Sequence, residues 1–168
     1  MRATLRVELR TITGELLDRR EAHNAVLQSG ARLMANLFSG KGAPITHMMV
    51  GTSDAPESDN FSTTALTNES VNGEPALTAP VDAVLPPEAF SEPEIDETRR
   101  LVRIRVRGTL PAAAAVGSVR EAGLVSQSGG TMTLYNRVTF APIQKGNDHE
   151  LTLFWEITFP YGDLQWLS

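Results

Sequence analysis

The side chains most able to do chemistry are few. Three histidines, His23, His47 and His149, are the obvious candidates. None stands at His-x-x-x-His or similar spacing from a second metal-ligating side chain, so each reads as a strand or turn residue. Ser39-Gly40-Lys41-Gly42 resembles a phosphate loop only at first glance. Such a loop needs a glycine five residues before the glycine of its Gly-Lys pair, and a Ser or Thr after the lysine. Here those places hold Ala35 and Gly42. No Gly-x-Ser-x-Gly nucleophile elbow occurs. Asp54, Glu57 and Asp59 put three carboxylates in one short stretch. Oxygen ligands of that kind hold calcium, but the spacing is not that of an EF-hand, and the stretch reads as a solvated acidic loop. Asn60-Phe61-Ser62 and Asn68-Glu69-Ser70 have the form of a glycosylation sequon. Residues 1–10 carry no secretion signal, so both read as chance matches. The expectation is a non-enzyme with no catalytic residues, no metal and no cofactor.

Two features point to contacts instead. Arg103, Arg105 and Arg107 alternate with Val102, Ile104 and Val106, which places three like charges on the outer side of one strand. Like charges in a row repel. The row is either relieved by acids on neighbouring strands or offered to an acidic partner surface. The second feature is the end of the chain. Tyr161, Leu164, Trp166 and Leu167 crowd four large apolar groups into residues 161–168. Chain ends are ordinarily polar and frayed. This one either folds back on its own domain or docks on a neighbour.

The elements that carry these groups are mostly strands. In residues 150–160, Leu151, Leu153, Trp155, Ile157 and Phe159 point one way, and Thr152, Phe154, Glu156 and Thr158 the other. This run is predicted to be the central wall of the core, with Trp155 a packing residue. Phe154 then lies on the wet side, a candidate contact, unless the helix covers it. Residues 131–143 are predicted to form one strand adjacent to this one, joined to it by a polar Gly146-Asn147 turn. Residues 2–10 alternate in the same way, and residues 16–22 read as a polar edge strand. Asn24 is a plausible N-cap for a helix over about residues 25–39, its stripe built from Val26, Leu27, Leu33, Met34, Leu37 and Phe38. Further strands are predicted at 45–50, 101–110 and 118–126, with a Ser128-Gly129-Gly130 hairpin turn. Residues 52–97 form a long excursion rich in Pro, Ser and Asp, with room for a helical turn near 64–69 and a strand near 76–84. Such excursions often bind ligands. The chain of 168 residues suits one domain, 1–168, and its net charge of −5 argues against a general nucleic-acid binder. No stretch is long and apolar enough to span a membrane. Strands joined by turns imply a mainly β protein, an antiparallel β-sandwich with one substantial helix.

Several motifs, in order, carry a resemblance. They are Asn24-Ala25-Val26, Leu37-Phe38-Ser39-Gly40, Val50-Gly51-Thr52, Asp54-Ala55-Pro56, Arg120-Glu121-Ala122-Gly123-Leu124, residues 135–143 beginning Tyr135-Asn136-Arg137, and the closing run 151–159 around Trp155-Glu156-Ile157. This series resembles small structural proteins of tailed bacteriophages and of phage-tail-like contractile particles. The resemblance covers most of the chain outside residues 73–98 and carries no catalytic residue. It implies a virion or particle component made in the bacterial host cytoplasm. It also implies many copies, a homo-oligomer or other multi-copy assembly, and contacts with other particle proteins rather than with membrane or nucleic acid. Tail or baseplate periphery is the favoured station. A capsid-decorating role and a host-glycan module using residues 52–97 remain as alternatives, the latter weakened by its having only Phe61 and Phe90 as ring faces.

Overall fold

The computed structural model describes residues 2–163. Its strands are β1 (Arg2–Thr11), β2 (Leu16–His23), β3 (Ala25–Val26), β4 (His47–Gly51), β5 (Asp82–Val84), β6 (Glu94–Asp96), β7 (Leu101–Leu110), β8 (Gly117–Ser128), β9 (Thr131–Leu134), β10 (Asn136–Lys145) and β11 (His149–Pro160). One helix, α1 (Gln28–Phe38), follows β3, and a 3₁₀ turn spans Pro87–Ala89. The strands make two antiparallel sheets, β2-β1-β11-β7-β6 and β3-β10-β8-β4-β5, with β9 also paired to β8. The fold is thus a mainly β sandwich with a single helix, as the alternation predicts. No described helix is long and apolar enough to cross a membrane.

β11 is the middle strand of its sheet. It pairs with β1 from Arg2↔Thr158 to Thr11↔His149 and with β7 from Leu151↔Leu110 to Pro160↔Leu101. Direct antiparallel partners share a face, so Leu5, Trp155 and Val106 form one inward row and Val7, Leu153 and Gly108 the next. Facing them from the second sheet are Met48, Val50, Ala122, Leu124, Val138 and Ile143. One apolar cluster joins both inner faces. The sandwich is closed at one side by Arg20 of β2, which donates to the carbonyls of Ala141 (3.2 Å) and Pro142 (3.0 Å) and pairs with Asp18.

Several expectations need correction. The runs at 131–143 and 150–160 are not neighbours: β10 lies in one sheet and β11 in the other. The turn between them crosses the sandwich, because β11 finds ten partners on β1 while β10 pairs with β8. The crossing is pinned by Lys145, whose ammonium donates to the Pro111 and Ala112 carbonyls at 2.9 Å each, and by the Gly146 N–H, which donates to His149 Nδ1. The run at 131–143 is itself broken at Tyr135. There the Asn136 Oδ1 accepts from Leu124 N (2.8 Å), taking the place of a ladder carbonyl. The helix begins at Gln28 rather than 25, because Ala25 and Val26 pair with β10. Asn24 does not cap it; its Oδ1 accepts from Ala3 N instead. Phe38 ends the helix 96% exposed, off the stripe that Leu33, Met34 and Leu37 lay on the core. Finally, no helical turn forms at 64–69, and of the strand near 76–84 only β5 forms. The Gly129-Gly130 turn is present, both residues at positive φ (56° and 82°), the conformation a two-residue hairpin requires.

Trp155 is 1% exposed at the centre of the core. Trp155→Ala is expected to cost about 3–5 kcal/mol, read as a lower urea midpoint with unchanged slope. Burial also pushes the Tyr135 hydroxyl up to about 12 from its ordinary 10.0. A raised folded value keeps its contribution intact below pH 10 and removes it between 10 and 12. Stability of the native chain should therefore fall over that window by on the order of 2 kcal/mol more than that of Tyr135→Phe, measured by thermal melts at stepped pH.

Candidate functional site

The outer faces of the two sheets are treated differently by the chain. On the second sheet, the outward positions of β4, β8 and β10 are covered by the segment that follows β4. Arg137 of β10 and Glu121 of β8 lie on this face, 5% and 1% exposed at their side chains, joined by Arg137 Nε to Glu121 Oε2 at 2.6 Å. The same guanidinium donates to Glu57 Oε1 (2.7 Å) and the Ala55 carbonyl (2.8 Å), both in the covering segment. Glu121 Oε1 accepts from the backbone N–H of Thr67 (2.8 Å) and Ser53 (3.4 Å). Thr63 Oγ1 holds the other Glu57 oxygen at 2.7 Å. Burial alone pulls the Arg137 pKa down, but its hydrogen bonds to the Glu121 and Glu57 carboxylates outweigh it and hold the value above that of a free guanidinium. Beside this cluster Leu27, Val125 and Leu134 form a small apolar patch with Met49 and Leu66. The covering chain passes so close to the end of β4 that a Cβ on Gly51 would collide with the Glu121 carboxylate and the Thr67 carbonyl. Residues 52–69 are therefore a strap sealed onto the sheet.

Among the described residues, the outer face of the first sheet has no such cover. Strand register puts Glu21, Arg6, Phe154 and Arg107 in one row across β2, β1, β11 and β7. The Phe154 ring lies between two guanidiniums, Arg6 at 4.2 Å and Arg107 at 5.4 Å from its centroid. Such contacts hold the cations over the ring face. The next row holds His23, Thr4, Glu156 and Arg105. Glu156 sits between Arg103 (3.8 Å) and Arg105 (3.7 Å), and Glu94 of the edge strand β6 reaches the same two arginines at 3.3 and 3.2 Å. Arg107 is exposed and has no ion pair among the described residues. A groove of about 910 Å³ runs over these rows, walled by Glu21 and His23 on one side and by Glu88 and Ser91 on the other. Its groups donate hydrogen bonds and carry charge, and two phenylalanines, Phe90 and Phe154, line it. The three arginines of its lining stand against three glutamates, Glu21, Glu88 and Glu156.

The sequence-predicted contacts divide accordingly. Arg103, Arg105, Arg107 and Phe154 come together on this one face. Phe154 is half-buried, covered by the arginines and not by the helix. The predicted alternative of relief by neighbouring acids holds for Arg103 and Arg105, through Glu94 and Glu156. Tyr161 lies beyond the end of β11, 39% exposed, its backbone N–H on the Arg100 carbonyl at 2.9 Å. Leu164, Trp166 and Leu167 fall outside the described residues. Glu57, read with Asp54 and Asp59 as part of a solvated acidic loop, turns inward to Arg137 instead. No group of three His, Cys, Asp or Glu side chains suited to a metal occurs among the described residues. Sequence reasoning missed Arg6, which only the pairing register brings beside Phe154. It also missed the Arg137–Glu121 pair, whose members lie on strands that periodicity marks as ordinary. No protein-family model, curated protein or solved structure matches the chain.

Breaking the buried pair by Arg137→Met is expected to destabilise the chain by roughly 3–5 kcal/mol, because Glu121 is left charged and unpaired. Arg137→Met combined with Glu121→Leu should cost less than the two single changes added together. Equilibrium urea unfolding of the four forms checks this. Limited proteolysis should cut residues 52–69 faster in the single variants.

Proposed function

We propose that this chain is a non-enzymatic structural component of a phage virion or phage-tail-like particle. In this reading it is present in many copies, joins subunits to one another, and sits at the tail or baseplate periphery. The outer face of the first sheet is its contact surface. One observation carries the reading: the second sheet's outer face is closed by the chain's own strap, whereas the first leaves Phe154, Arg6 and Arg107 open to a partner. Interfaces draw most of their energy from a few central aromatic and arginine side chains, the combination found here. The motif resemblance supplies the kind of assembly. A capsid-decorating position uses the same face and differs only in station. The glycan-binding alternative loses ground, since much of the excursion it needs is spent as strap.

Arg107 is exposed and Phe154 half-buried, so Arg107→Glu with Phe154→Ser should leave the melting temperature within a few degrees of native. In cells producing the particles, the native chain should copurify in multiple copies, counted by quantitative mass spectrometry and located by immunogold microscopy. The double variant should be depleted at least tenfold. Absence of the native chain from purified particles would sink the assembly reading.

A further inference from the structure

The strap over the second sheet is fastened differently at its base and along its span. At the base, the Thr52 N–H donates to the Thr67 carbonyl (2.8 Å), and Thr52 Oγ1 accepts from the Glu69 N–H (3.0 Å). The Thr67 N–H reaches Glu121 Oε1 at 2.8 Å. The Asn68 amide holds the Leu77 N–H at 2.7 Å and the Leu77 carbonyl at 3.0 Å. Both ends of residues 53–66 are thus tied to each other and to the body. The span itself has no such anchorage. No residue from 53 to 66 is buried. Leu66, beside the base, is the residue that meets the apolar patch. Beyond it the span is held by polar contacts at two places. Arg137 donates to the Ser53 carbonyl (3.2 Å), the Ala55 carbonyl (2.8 Å) and Glu57 Oε1 (2.7 Å). Gln28 of α1 donates its backbone N–H to the Phe61 carbonyl (3.0 Å) and its Nε2 to the Asn60 carbonyl (2.8 Å). Within the span, Thr63 Oγ1 bonds Glu57, the Phe61 N–H bonds the Ser58 carbonyl, and Ser58 Oγ bonds Asn60 Oδ1. A loop with joined ends, its own internal bonds and little apolar burial opens at a lower free energy than the body carrying it.

We propose that residues 53–66 are a hinged flap, which swings off the second sheet as one piece from a base fixed at Thr52 and Thr67 and brings Arg137 and Glu121 into water without unfolding the sandwich. Glu57 is the latch. Of the flap's three carboxylates, Asp54, Glu57 and Asp59, it is the one paired with Arg137. Opening strands no charge. The Arg137–Glu121 bond joins two residues of the sheet and does not involve the flap. Water takes over the guanidinium donors that the Glu57 carboxylate and the two carbonyls give up, so the opening costs an exchange of hydrogen bonds and the Leu66 contact. Removing Arg137 or Glu121 is different in kind, because it leaves the other charge alone under a closed roof. The second face therefore has two states. Closed, it shows the exposed side of the flap. Open, it shows a guanidinium with free donors beside a carboxylate, on the side of the sandwich away from Phe154.

The test is native-state hydrogen exchange of the ¹⁵N-labelled full chain, followed by NMR through low urea. The Gln28 N–H and the Arg137 Nε–H report the two places where the span is held. The Thr52 and Thr67 N–H groups report the base, and the Leu124 N–H, bonded to Asn136 Oδ1, reports the core. The two span protons should exchange well ahead of the other three. Their rates should not respond to urea, since a swinging flap exposes little surface. Glu57→Gln keeps the shape of the latch and removes its charge. It should speed both span protons roughly tenfold, the factor for one charge-assisted hydrogen bond. The base and core protons and the urea midpoint should stay as in the native chain. The gain at Gln28 is the decisive reading, because Gln28 bonds Asn60 and Phe61 and responds to Glu57 only if the span moves as one piece. Acceleration confined to Arg137, or equal acceleration at Thr52 and Thr67, would overturn the proposal. So would a lower urea midpoint with no gain at Gln28. If Glu57→Gln does not fold, the native chain decides: span protons that share the urea slope of Leu124 open only with the whole molecule, and there is no flap.

Discussion

The rest of the structure depends on the need to keep Arg137 and Glu121 away from water and paired. Both project from the outer face of the second sheet, where an uncovered strand position would be wet. Their burial requires a roof, and residues 52–69 supply it with Glu57, the Ala55 carbonyl and two backbone N–H groups. A charge pair sealed in this way tolerates little displacement, since loss of any partner leaves an expensive orphan. The strap is thereby held in one place, and the small patch of Leu27, Val125, Leu134 and Leu66 closes the remainder.

That roof makes the two faces of the sandwich unequal. With one outer face spent on the chain's own strap, the other is left uncovered by the described residues. Antiparallel register then assembles its character from four separate strands. Arg6 from the beginning of the chain, Phe154 from near its end and Arg107 from between them become adjacent because β11 pairs on both sides. Part of the arginine row is neutralised internally by Glu94 and Glu156. The part beside Phe154 is not. Which arginines of the row are paired internally thus comes down to where the last internal carboxylate lies.

Alternation of apolar and polar side chains determined much by itself. It marked β1, β7 and β11 along their lengths, put Trp155 in the core, set Arg103, Arg105 and Arg107 outward, and made the chain a mainly β sandwich with one helix. Those are local properties, since a strand's two faces are written in its own period of two. The Gly129-Gly130 turn was legible for the same reason.

What tertiary structure alone decided was partnership. Sequence adjacency suggested that the 131–143 and 150–160 runs pair, but β11 gains longer ladders with β1 and β7, and the chain crosses between sheets instead. Ala25 and Val26 left the helix because β10 offered backbone partners to satisfy them. Glu57 looked like one of three solvated acids, and Arg137 like an ordinary strand residue, until a long loop brought them within 2.7 Å. Pairing across such separations leaves no periodic trace. Charge, period and turn chemistry are carried by neighbours in the chain, whereas which face is roofed and which is open is settled only when distant strands choose one another.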